Sequence, residues 1–108
     1  MKLRFIETEI FTEQIQELVG DESYFELQQA LLEQPDSGDL IPQSGGLRKV
    51  RWRVPGRGKR GGVRVIYYWV VSDKILLMLY AYQKNQQEDL TADQLRVLKK
   101  IVENYEQT

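Results

Sequence analysis

The chain has 108 residues, with fifteen Lys and Arg against sixteen Asp and Glu, and contains neither cysteine nor histidine. The absence of cysteine excludes disulfides, thiolate nucleophiles and thiolate metal sites, and the absence of histidine removes the usual base at neutral pH. Any catalysis must use Lys, Arg, Tyr, Ser, Thr or carboxylates, and no cluster of His, Cys or carboxylates calls for a metal or other cofactor.

The segment from Leu3 to Glu7 is short and apolar-rich and reads as a first strand. Thr12 fits a helix N-cap, with Ile15, Leu18 and Val19 on one face and Gly20 closing the helix. Asp21 opens a second helix, whose apolar stripe is Tyr24, Leu27 and Leu31, joined by Phe25 and Leu32. The run from Gln34 to Gly38 (QPDSG) stops it. From Leu47 to Val54 the pattern alternates: Val50, Trp52 and Val54 make one face, and Lys49, Arg51 and Arg53 the other. That period of two marks a half-buried strand.

A glycine-rich basic loop follows, and then Val63 to Val71 (VRVIYYWVV), the strongest strand signal in the chain. Ser72, Asp73 and Lys74 turn it into the apolar strand Ile75 to Tyr82. The helix from Thr91 to Asn104 carries Leu95, Leu98, Ile101 and Val102 on one stripe, and Thr91 with Gln94 fits a capping box. The order β-α-α-β-β-β-α is that of an α+β fold: an antiparallel meander with helices packed on one face and the cations on the other. A single domain over residues 1–108 is expected. No apolar run reaches the length of a membrane span, and the start MKLRFIETEIF lacks a signal peptide's apolar region, so a cytoplasmic protein is expected.

The charge is unevenly placed. Gly45 to Arg64 holds eight basic residues and no acidic one; the other eighty-eight residues hold seven basic and sixteen acidic. Such a segment suits a polyanion, and nucleic acid is the expected one. Arg57, Lys59 and Arg60 supply charge in the glycine-rich loop, while Arg48 and Arg53 extend it along the preceding strand. The loop lacks the GK[ST] of a nucleotide-binding loop and joins two strands. Arg64 either ends in solvent or projects into a pocket, where its guanidinium would clamp a phosphate with two parallel hydrogen bonds. Tyr80, Tyr82 and Lys84 share a parity at the end of the last strand, where aromatic rings beside cations can stack a base while the cations hold phosphate.

The stretches GGLRKVRW, GRGKRGGVRVIYYW and LYAYQKNQQEDLTADQ together resemble the RelE/HigB family of bacterial toxins from type II toxin–antitoxin modules, in its HigB-like branch. The resemblance implies a curved antiparallel sheet and a ribosome-dependent endoribonuclease that cuts messenger RNA in the ribosomal A site, using the substrate's own 2′-hydroxyl. It implies Lys49, Arg51, Arg64 and Lys84 as the active basic residues, with Tyr82 beside them. It also implies a helix-turn-helix antitoxin and the ribosome as partners. Asn85 and Thr91 depart from relatives that carry a further Arg, His or Tyr in this region. A gyrase-inhibiting toxin on the same fold, as in the ParE relatives, and a non-catalytic RNA- or ribosome-binding domain are the competing expectations.

Overall fold

The computed structural model describes residues 3–54 and 62–106. Among them the elements are β1 (Arg4–Glu7), α1 (Glu9–Leu18), α2 (Asp21–Glu33), β2 (Asp39–Leu40), β3 (Arg48–Arg53), β4 (Gly62–Val70), β5 (Ile75–Gln83) and α3 (Ala92–Glu106). The α+β order expected from the sequence is present, with the two-residue β2 added. The strands form one sheet in the order β1-β5-β4-β3-β2.

Two expectations about this sheet are corrected. It is not wholly antiparallel: β1 lies parallel to β5, with Phe5 beside Leu76 and Glu7 beside Met78, while β5, β4, β3 and β2 pair antiparallel. Strand periodicity is the same in both pairings, so the residues of β1 carry no mark of direction. Nor do the helices share one face. Phe11, Ile15, Leu27 and Leu31 of α1 and α2 pack with Val65, Tyr67, Leu76 and Met78. Leu98 and Val102 of α3 pack on the other side with Leu47, Ile66, Val70, Ile75 and Leu77. The reason lies in β4 and β5, which are buried along most of their length on both faces. Apolar side chains on both sides of a strand need cover on both sides.

The helix boundary of α1 also moves. Thr8, extended at φ −73° and ψ 157°, caps the helix by accepting from the Phe11 N–H at 3.1 Å. Its hydroxyl donates to the Leu79 carbonyl at 2.9 Å, so one residue ends β1, starts α1 and ties both to β5. Thr12, the expected cap, sits within the helix and donates to the Glu7 carboxylate at 2.6 Å. Gly20, at φ +87°, links α1 to α2 in a conformation that disfavours a Cβ. The capping box of α3 forms as expected: the Gln94 N–H donates to Thr91 Oγ1 at 3.1 Å, and the Thr91 N–H to Gln94 Oε1 at 3.0 Å.

One irregularity positions the site. Ile66 of β4 faces Tyr80 of β5, but Tyr67 faces Met78, which leaves Leu79 as an extra residue. The inserted residue reverses the phase of β5. Before it, Leu76 and Met78 join the core under α1 and α2; after it, Ala81 does, and Tyr80 and Tyr82 turn to the α3 side. This is how a bulge re-aims side chains.

Candidate nucleic-acid interface

The α3 side of the sheet is apolar where α3 covers it and cationic beyond. Directly opposed residues on neighbouring strands share a face. Arg51, Arg64 and Tyr82 stand opposite one another across β3, β4 and β5, and Lys49, Ile66 and Tyr80 form the adjacent row. Lys84 follows β5, where its N–H donates to the Gly62 carbonyl at 2.9 Å. Lys49, Arg51, Arg64, Lys84, Glu88 and Asp89 line a polar cleft of about 220 Å³. Four residues that the sequence separates by up to 35 positions thus share one depression.

Arg64 is the unusual member. It is 7% exposed, and among the described residues no hydrogen bond or ion pair meets its guanidinium. It stands opposite Arg51, a second cation. A buried charge normally has a partner, and like charges opposite one another oppose folding. Local conflict of this kind concentrates where a ligand is meant to resolve it. Gly62 makes room for the arrangement: a Cβ there would lie 3.3 Å from Arg64 Nη1 and 3.5 Å from Lys84 Cβ.

Lys49 Nζ donates to Asp89 Oδ1 at 2.9 Å, with side-chain exposures of 20% and 76%. The Lys49 hydrogen bond and charge hold the Asp89 carboxyl below the usual carboxylate range, and Arg64 and Arg51 add to this. Tyr82 is pushed the other way. Burial, and then the Asp89 charge, raise its hydroxyl above the usual tyrosine value, while Arg64 opposes the rise. The hydroxyl reaches the Glu88 carbonyl at 3.4 Å. Beside it, Tyr80 accepts from Gln94 Nε2 at 3.1 Å, and the two tyrosine rings stand 6.1 Å apart at 43°. The α3 capping box and the aromatic pair are therefore one connected unit.

The other sequence candidates divide. Arg53 is exposed at the end of β3, on the cleft side by alternation. Arg48 does not join the cleft. Its Nη1 donates to the Gly38 carbonyl at 2.8 Å and the Asp36 carbonyl at 3.1 Å, and it alternates to the α1–α2 side of the sheet, opposite Tyr67. There it fastens the chain between α2 and β2. Arg57, Lys59 and Arg60 lie outside the described residues. Sequence reasoning passes over Asp89 and Gly62. Asp89 contacts a residue forty positions away, which no local pattern announces; a glycine at the threshold of a strand is the only signal for Gly62.

The RelE family, described as the RelE toxin of the RelE/RelB toxin–antitoxin system, matches residues 8–108. The chain belongs to the RelE toxin family, the toxin half of a toxin–antitoxin system. The solved structure of a mutant of the E. coli toxin RelE in the free state is similar to this fold, with a TM-score of 0.58 and 14% sequence identity over 82% of this chain and 90% of that one. Among the described residues, no helix is long and apolar enough to cross a membrane.

Proposed function

We propose that this toxin is a ribosome-dependent endoribonuclease that cleaves messenger RNA in the ribosomal A site and so arrests translation. The observation that carries the proposal is Arg64, a buried cation whose guanidinium has no hydrogen bond or ion pair among the described residues, in a cleft with Arg51, Lys49 and Lys84. A phosphodiester supplies the hydrogen-bonded anion that this guanidinium lacks. In the reaction, the ribose 2′-oxygen attacks phosphorus as its proton passes to solvent. The bond to the 5′-oxygen breaks, leaving a cyclic phosphate and a 5′-hydroxyl. Arg64 and Arg51 hold the non-bridging oxygens as charge builds on them. Lys84, at the exposed rim, gives a proton to the departing 5′-oxygen. Tyr82 keeps its hydroxyl proton through the physiological range and donates a hydrogen bond to the phosphate.

The charge of the transition state is met by side chains, so the reaction needs no metal. The cleft is open to solvent, and orienting the nucleotide for in-line attack falls to the ribosome. A helix-turn-helix antitoxin neutralises the toxin in the cytoplasm, where its substrate is.

The test is cleavage of a message in purified ribosomes, with 5′-end mapping, by wild type and Arg64→Ala. Codon-phased cuts that need ribosomes and vanish in the variant are expected. Full cleavage by Arg64→Ala would remove Arg64 from the site, and double-strand breaks in DNA without RNA cuts would replace the whole reading.

A further inference from the structure

The cleft that would receive a phosphate already contains an anion. Asp89 sits on the segment between β5 and α3, and its carboxylate reaches back over the sheet to Lys49 at 2.9 Å. It lines the cleft with the four cations, and the Arg64 and Arg51 charges also act on it. The segment is held from its own side: Gln87 Nε2 donates to the Asp89 carbonyl and to Gln94 Oε1, both at 2.9 Å. Gln94 is the residue that caps α3 and bonds Tyr80. The position of Asp89 over the cleft is thus tied to the start of α3 and to the tyrosine pair.

We infer that Asp89 is a specificity-determining residue: its carboxylate occupies the Lys49 corner of the phosphate cleft and makes the isolated toxin a poor binder of free RNA, so that only RNA presented by the ribosome displaces it. The inference rests on the reading of the cleft as a phosphate site. The chemistry is competition between two anions. A phosphodiester entering the cleft must take Lys49 from Asp89 and must approach a like charge. A surface ion pair of this exposure opposes binding modestly, which a weak, unoriented ligand feels and a ribosome-positioned one overcomes. Arg64, with no such carboxylate bonded to it among the described residues, stays open as the first anchor.

Fluorescence anisotropy of a short single-stranded RNA, made uncleavable by 2′-O-methyl groups, tests this with the whole chain. Wild type, Asp89→Asn, Arg64→Ala, Lys49→Gln and Lys49→Gln/Asp89→Asn are compared. Asp73→Asn serves as the control for net charge: Asp73 lies in the β4–β5 turn, at the other end of these strands from Arg64 and Tyr82. Asp89→Asn is expected to tighten binding roughly twofold to fivefold, Asp73→Asn to leave it unchanged, and the gain to shrink once Lys49 is Gln. Equal or weaker binding by Asp89→Asn, or an equal gain from Asp73→Asn, overturns the inference. If Arg64→Ala weakens binding while Asp89→Asn does not tighten it, the phosphate cleft stands and the role of Asp89 falls. If Arg64→Ala binds as wild type does, the phosphate cleft itself is wrong, and the inference falls with it.

Discussion

Replacing Arg64 by Met should move stability and activity in opposite directions. The guanidinium is 7% exposed and lies opposite Arg51, and none of the described residues bonds it. Replacing a buried ion pair by apolar side chains of similar size is often neutral or stabilising by about 1–4 kcal/mol, and a buried charge that nothing bonds has no pair energy to lose. The lower part of that range applies, because the cleft opens to water and Asp89 offsets part of the positive field; about 1–2 kcal/mol is expected. For a domain near 100 residues, each kcal/mol shifts Tm by about 4–8 °C, so Tm should rise by about 4–16 °C. Cleavage should suffer. Two charge-assisted hydrogen bonds to phosphate, at about 1.5–3 kcal/mol each, would vanish from the transition state. Since every ~1.4 kcal/mol is tenfold in rate, single-turnover cleavage of ribosome-bound message should fall at least about 100-fold. Thermal unfolding followed by circular dichroism, with cleavage measured on the same preparation, gives both numbers. A lowered Tm would refute the reasoning, because it would make Arg64 a structural residue whose loss harms activity through the fold.

Three further outcomes are expected. Thr8→Ala should cost about 1 kcal/mol as a lost N-cap, and more for its bond to Leu79, whereas Thr12→Ala should cost little; urea unfolding of the pair locates the cap. Gly38→Ala should destabilise by about 1–3 kcal/mol, since its Cβ would meet the buried Tyr67 ring at 2.8 Å, and that ring is held by Pro35 and Gly38; the same unfolding measurement reads it. In a carbon-detected NMR titration, the Asp89 carboxyl should titrate below its ordinary 3.8 and move back up in Lys49→Gln. The sign follows from the depressed folded value: the pair is fully formed at neutral pH and is lost as pH falls through the Asp89 titration.

The residues of this chain announce more of the site's composition than of its shape. Alternation in Lys49, Arg51 and Arg53 put the cations on one face of a strand because successive side chains of any strand point to opposite faces. The same local logic placed Arg64 with Ile66 and Tyr68. It also found the α3 capping box, whose partners lie three residues apart. Arg48 shows the limit: its charge counts equally in any composition, yet its guanidinium goes to the carbonyls of Asp36 and Gly38 on the far side of the sheet.

What the sequence determined by itself was therefore the set of elements apart from the two-residue β2 and the two-faced character of β3, which follow from backbone periods of 2 and 3.6 residues, and the concentration of positive charge, which composition alone gives. Only the tertiary structure decided that β1 joins the sheet in parallel, that α3 covers the face opposite α1 and α2, and that the extra residue Leu79 turns Tyr82 toward Arg64. It alone brought Asp89 to Lys49. These are outcomes of burying apolar surface on both sides of β4 and β5, and burial couples residues by their distance in space, which periodicity along the chain does not encode.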